Sequence, residues 1–386
     1  MKKQRTAVVS LLAVFIFVTA CGTSDRSVWN VEIVTDGEEI VWDGDSDVAL
    51  VMDNDTVYSK VHYRGGYSSR YPKHSMAIKT DYAVSLCGMQ EERNWVLNAS
   101  YIDRTFMRHK LAYDIFRMMD SNNRAPRCSY LWLTVDGKPQ GLYVAMQRLN
   151  ANTLGVVRGD CSAVIYKEPP LLYPTLPTPQ DSTNPLNQKY PKLRCVDHSG
   201  QYEALRQLIF ESDDKTFSEL APKVFDLNNI ADWHLLILLA NNSDGLLKGY
   251  YLYKASEQTP WRIAPWDYDH SFGRDGDGER NMLQHNVDCD RSLLLHRLMQ
   301  MTKYRLLLRQ RWQNLRTTGT ISVESVNRMI DADSKAIKGY VARNADIWPI
   351  DAPDFYDTMD FKQEVKLMRH FFELNIPRLD SIVGKL

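Results

Sequence analysis

Asp267 and Asp269 stand two residues apart in WRIAPWDYDHSFG, Trp261 to Gly273, after a short apolar strand-like run and before a glycine. Two carboxylates placed this way can hold a divalent cation through oxygen ligands. A third carboxylate, Asp244, lies upstream in ANNSDG, at the end of the apolar helix-like run Trp233 to Ala240. Between the two acidic spots, Tyr250-Tyr251-Leu252-Tyr253 reads as a strand. Phosphoryl transfer of the kinase type uses this order. One carboxylate positions or deprotonates the acceptor hydroxyl, and a later one holds the metal against the nucleotide phosphates. The plain alternative is that these aspartates cap loops and bind nothing.

A basic loop, RGGYSSRYPKHSMAIK, runs from Arg64 to Lys79. Gly65, Gly66, Ser68 and Ser69 beside Arg64, Arg70 and Lys73 offer backbone N–H groups, hydroxyls and cations together, as an anionic phosphate chain requires. Hairpin turns use the same residues without any ligand. Lys79 ends the strand Met76-Ala77-Ile78, in the manner of the kinase Val-Ala-Ile-Lys strand that follows a glycine-rich loop; a solvated lysine is the competing reading. Asp103, Arg108 and Asp114 are candidate partners to orient Lys79, with helix capping and surface charge as their alternative.

The elements that must position these residues fall into two groups. From Val28 to Tyr63 the runs VEIV, EIVW, ALVM and VYSKVHY alternate like short strands broken by Asp-Gly and Asn-Asp turns, and HSMAIKT reads as another. Leu111, Ile115 and Met118 predict an amphipathic helix over 103–120, and two strands follow at 130–135 and 141–146, the second leading into Gln147 as a hinge. The proline-rich stretch 168–185 reads as a surface loop. Helices are expected over 201–211, 216–223, 228–240, 291–316, 322–343 and 360–384, interrupted by a strand pair around Tyr251 and Ile263.

The chain has 386 residues, 44% hydrophobic and 11% aromatic, as a globular protein requires. Its start reads as a lipoprotein signal peptide over 1–20: a cationic head MKKQRT, an apolar run Ala7 to Phe17, and Val18-Thr19-Ala20 before Cys21. Cys21 is then the lipidated residue of a short tether, 21–27. The expected setting is a bacterial cell envelope, outside the cytoplasm, with membrane attachment through lipid on Cys21. An ordinary secretion signal is the alternative. Loss of residues 1–20 removes Lys2, Lys3 and Arg5 and moves the formal charge from −1 to −4, which gives no basis for nucleic-acid binding. The remaining cysteines, Cys87, Cys128, Cys161, Cys195 and Cys289, have the spacing of neither a zinc cluster nor a full disulfide framework.

In their order along the chain, RGGYSSRYPKHSMAIK, NWVLNASYIDRTFMRHKLAYDIF, VDGKPQGLYVAMQRL, NQKYP, ANNSDG, YYLY and WRIAPWDYDHSFG resemble the CotH family of kinase-like proteins. The resemblance runs from about Val61 to the end. It implies an α+β, bilobal atypical protein-kinase-like fold over 28–386, with a β-rich N-terminal lobe of about 28–149 and a mainly helical C-terminal lobe of 150–386. It also implies binding of ATP with Mg²⁺ or Mn²⁺ and phosphorylation of serine or threonine in a protein substrate, spore-coat proteins being the family example. By position, Asp244 matches the catalytic aspartate, Asp267 the metal-binding aspartate, and Asp269 the second acidic position. Arg64, Ser68, Ser69, Lys73 and Lys79 match the nucleotide-binding region. Two residues depart from the pattern: Gly249 replaces an asparagine able to contact a second metal, and Gln147 replaces a glutamate. The alternative implied by Gly249 is a catalytically weakened, kinase-like surface lipoprotein that acts as a binding or scaffold protein. A glycan hydrolase with paired carboxylates leaves the basic loop without a role.

Overall fold

The structure, a computed structural model, describes residues 27–52, 55–157, 159–169, 184–274, 283, 286–355 and 357–386. The expected signal peptide, Cys21 and most of the proline-rich segment lie outside these residues. Among the described residues no helix is long and apolar enough to cross a membrane.

The first part is strand-rich: β1 (Val28–Val34), β2 (Ser46–Met52), β3 (Asp55–Arg64), β4 (Ser75–Val84), β5 (Glu92–Asn98), then helix α1 (Arg108–Met119), then β6 (Cys128–Val135) and β7 (Lys138–Gln147). The seven strands close into a barrel in the order β1-β2-β3-β4-β5-β7-β6, with β1 joining β6 in parallel to seal it. Side chains alternate between the two faces of a strand, and here both faces of β5, β6 and β7 are apolar. Trp95, Leu97, Leu131, Leu133, Tyr143 and Ala145 fill the barrel. Val96, Tyr130, Trp132, Leu142, Val144 and Met146 face outward into the second core, with Leu111 and Ile115 of α1. The barrel is a closed ring rather than the open meander that the alternating runs suggest. EIVW, expected as a strand, is irregular.

The second part carries β8 (Val164–Lys167), β9 (Gln188–Tyr190), α2 (Ser199–Phe210), α3 (Asp214–Val224), α4 (Leu227–Ala240), α5 (Ser243–Leu247), β10 (Tyr250–Lys254), β11 (Arg262–Pro265), α6 (Leu293–Gln300), α7 (Thr302–Thr317), α8 (Val323–Ile347) and α9 (Phe361–Gly384). A small sheet, β11-β10-β8-β9, sits among the helices. The helix expected over 291–316 is broken at Met301, whose extended backbone separates α6 from α7. The helix expected from Asp103 starts only at Arg108. The Asp103 carboxylate accepts the Thr105 and Arg108 N–H groups at 3.0 Å each, which holds 103–107 as a turn ahead of the helix. Met118, placed on the apolar face by spacing, is 47% exposed. Among the described residues the five cysteines form no disulfide with one another.

Candidate active site

Tyr250 pairs with Pro265 where β10 and β11 run antiparallel, so the residues before β10 meet those after β11. Asp244 precedes β10 in the first turn of α5. That short helix is held by the Asn242 side chain, which accepts the Gly245 N–H at 2.8 Å. Asp267 follows β11. The Trp266 N–H donates to the Gly249 carbonyl at 3.0 Å and ties the two acidic loops together.

Helix α1 buttresses the second loop from beneath. The Asp267 N–H donates to the Tyr113 hydroxyl at 3.0 Å, the Tyr268 N–H to His109 Nδ1 at 2.9 Å, and Arg108 Nε to the Ser271 carbonyl at 2.9 Å. Asp267 is held at φ +62°, a left-handed conformation that aspartate tolerates better than most residues. Its side chain stays 52% exposed. Arg108 is in turn fixed by Asp103 at 2.5 Å and by Glu364 of α9 at 3.1 Å. The loop is thus braced on a buried ionic network.

The basic loop faces these carboxylates. Gly65, at φ +148°, permits a tight turn after β3; a Cβ there would stand 2.4 Å from Ser68 Oγ. A cleft of about 540 Å³ is lined by Arg64, Ser68, Lys73, Asp244, Asp267 and Asp269, with Lys167, Glu168 and Lys248. Arg64 packs over the Trp266 ring with its guanidinium carbon 6.0 Å from the centroid.

The sequence-derived candidates divide here. Arg64, Ser68, Asp244, Asp267 and Asp269 come together in the cleft. Ser69 does not line it; its hydroxyl donates to the Gly66 carbonyl at 2.8 Å and closes the turn. Lys73 reaches the cleft wall, but its ammonium is buried. It donates to the carbonyl oxygens of Ala99 at 2.9 Å and of Leu142, and to Asn344 Oδ1 at 3.0 Å. A lysine has three donors, so its bonding capacity is filled. Burial without a carboxylate pushes its pKa well below the ordinary lysine value. Lys79 is exposed on β4, opposite Lys60 and Asn94. Four residues beyond Ser75, the last cleft-lining residue of that strand, it lies about 13 Å further along at a strand's usual rise. Its proposed partners are engaged elsewhere: Asp103 with Arg108, and Asp114 with Lys110 and Arg117.

Sequence reasoning did not single out Lys248, His109 or Glu168 for the site. Lys248 bonds Asp244 at 3.1 Å, an i, i+4 pair that spacing alone could have flagged. Burial works against the Lys248 charge, yet Asp244, then Asp267 and Asp269, outweigh it and raise its pKa. Glu168, at φ +50°, is raised above the usual carboxylate range by burial, against the pull of Lys167 at 3.3 Å. No sequence signal pointed to it.

The ligand atoms of His109, Asp267 and Asp269 lie within 4.8 Å of one another. His109 Nδ1 accepts the Tyr268 N–H, so in the neutral ring Nε2 carries the proton, 3.1 Å from the Asn98 side-chain amide, and neither nitrogen has a lone pair to spare. The oxygen donors for a cation are therefore the two carboxylates. Burial, and then the neighbouring Asp267, raise the Asp269 pKa. Neither carboxylate is paired with a lysine or arginine among the described residues. A close pair of carboxylates with no lysine or arginine in ion-pair contact fits a hard divalent ion such as Mg²⁺ or Mn²⁺.

A family model described as CotH kinase protein matches residues 61–376. The chain is 26% identical over 246 residues to the inner spore coat protein H of Bacillus subtilis (strain 168), a match that covers 62% of this chain and 66% of that protein. It spans just under two thirds of that relative's length. A crystal structure described as that of a Helicobacter pylori proinflammatory kinase, CtkA, aligns over 90% of this chain and 93% of its own, at 11% identity and a TM-score of 0.34.

Proposed function

The chain belongs to the CotH kinase protein family, and from that premise we propose that its acidic cleft transfers phosphate from ATP to a serine or threonine hydroxyl of a protein. The observation that carries this reading is the meeting of the Arg64–Ser68 loop with Asp244, Asp267 and Asp269 in one cleft. Kinase chemistry needs an anion cradle opposite an acidic pair, with a further carboxylate within reach.

In this reading the barrel and the helical part act as the two lobes of a kinase-like unit. Asp267 and Asp269 hold Mg²⁺ or Mn²⁺, which supplies counter-charge to the phosphates. Arg64 and the Ser68 hydroxyl hold phosphate oxygens. Asp244 orients the acceptor hydroxyl, and its partner Lys248 brings a second cation to the transferring group. Catalysis is then positioning and charge neutralisation. Lys73 serves by holding the wall of the cleft and Ser69 by closing the basic loop. The protein substrate, anchoring through Cys21 and a site of action outside the cytoplasm belong to the same proposal.

One observation favours a second reading. With Lys73 bonded to Ala99, Leu142 and Asn344 and Lys79 outside the cleft lining, Arg64, Lys167 and Lys248 are the cations that line the cleft among the described residues, fewer than the basic segment offered, as in a kinase-like binding or scaffold protein. Thermal melting with ATP and Mn²⁺ separates the two. A rise in melting temperature at millimolar nucleotide supports the enzyme reading, since a ligand bound only to the folded state stabilises it. An unmoved transition supports the scaffold.

A further inference from the structure

Behind the acidic cleft lies a second cavity of about 580 Å³, between α8, the start of α9 and the segment 99–106. That size suits a small ligand. Its floor is apolar, with Phe106, Val341, Ala345, Trp348, Phe355 and Val365. Its lining carries six basic side chains against two carboxylates, with Lys73 and Arg104 buried and Lys335, Lys338 and Lys362 exposed at the rim. Both carboxylates are engaged: Asp331 bonds Arg369 at 2.6 Å, and Asp360 caps α9 by accepting the Gln363 N–H at 2.9 Å. Arg104 is paired with Asp357 and Glu364. Lys335, Lys338 and Lys362 are exposed and have no carboxylate partner among the described residues.

Four residues, Lys73, Ala99, Ser100 and Tyr101, belong to the walls of both cavities. Tyr101 stacks on Tyr71 at 5.1 Å on one side and on Phe355 at 4.9 Å on the other. Lys73 borders both spaces with an ammonium bonded only to uncharged oxygens.

We infer that this cavity binds a small amphipathic anion, an acyl-type apolar chain with one carboxylate head. The floor takes the chain, and Lys335, Lys338 and Lys362 take the head. An acidic peptide suits the rim but not the floor, because its backbone amides would be buried against side chains that offer them no partners. The inference stands apart from the phosphoryl-transfer reading, since it uses neither acidic loop.

Calorimetric titration of the full chain with monomeric decanoate tests it, with decanol, acetate and a short acidic peptide as comparisons. Decanoate is expected to bind one to one, decanol at least tenfold more weakly, and acetate and the peptide not measurably. Lys335→Glu with Lys338→Glu should weaken decanoate at least tenfold, and Ala345→Trp, which fills the floor, should abolish it. If Ala345→Trp loses its cooperative melting transition, the lysine pair, exposed on α8, decides the matter alone. No saturable decanoate binding, equal binding of decanol, preference for the peptide, or affinity unchanged in the lysine variant would each overturn the inference.

Discussion

The α-carbon of Gly249 lies against the carbonyl of Trp266: a Cβ at 249 would stand 2.5 Å from that oxygen and 2.9 Å from the Gly245 α-carbon. This contact lets the loop bearing Asp244 close on the loop bearing Asp267. In the sequence Gly249 reads as a lost metal contact; in the fold it is the residue that allows the close approach. Gly249→Ala is expected to lower stability by about 1–3 kcal/mol, the usual cost of forcing an extra carbon into a packed site. Gly249→Asn should give no gain in nucleotide affinity. Urea unfolding and nucleotide titration check both, and an asparagine variant that is stable and binds more tightly would count against this account.

The two candidate phosphate-binding cations at either end of the basic segment should behave differently. Arg64 lines the cleft and Lys79 does not. Arg64→Ala should weaken ATP binding about tenfold or more, the usual worth of a hydrogen bond to a charged group. Lys79→Ala should leave it within about twofold. Equilibrium binding of a fluorescent ATP analogue decides this; the reverse ranking would restore Lys79 to the site.

Arg108 ties α1 to the loop that follows Asp267 and to α9. Its guanidinium is sealed between Asp103 and Glu364. Removing one partner of a buried ion pair strands the other charge and typically costs about 3–5 kcal/mol. Arg108→Met should therefore shift the urea midpoint strongly. A midpoint like that of the parent would mean that the network does not brace the loop.

A pH effect is expected far from the cleft. His234 is buried against Tyr304, its Nδ1 3.3 Å from the hydroxyl, and burial lowers its pKa from 6.5 to about 4, opposed by Asp290. Above pH 6.5 it is neutral in the folded and unfolded chain alike. As the pH falls from 6.5 towards 4, the unfolded chain takes up a proton that the folded chain refuses. Stability is then lost on acidification, by roughly 3 kcal/mol in all. His234→Gln removes this contribution, so the stability difference between parent and variant should move against the parent over that window. Unfolding curves at pH 7 and pH 4.5 measure it, and a difference independent of pH would contradict the assignment.

The helices of the second part were legible because apolar side chains recur at helical spacing, and α4 departs from its expected bounds by a single residue. The strands of the first part were legible as strands, but not as a closed ring. Barrel closure rests on the parallel pairing of Val28–Ile33 with Tyr130–Val135, about a hundred residues apart, which no local pattern encodes. At the site, the acidic residues could be found because short loops next to paired strands keep them near each other. Lys79 was expected at a strand end from its match to a motif, whereas β4 runs on from Ser75 to Val84 and leaves Lys79 in mid-strand, outside the residues that line the cleft. His109 and Tyr113 were invisible because their role is to hold backbone N–H groups that lie some 150 residues further on.

The central claim is that Asp267 belongs to a phosphoryl-transfer site. Transfer of labelled phosphate from ATP, with Mn²⁺ present, should be compared between the parent chain and Asp267→Asn. The account predicts labelling of the chain or of an added acceptor protein by the parent, and at least about a hundredfold less by the variant, as expected when charge stabilisation of the transferring group is lost. Equal labelling by both chains, or none by either while ATP and Mn²⁺ leave the melting temperature unmoved, would contradict it.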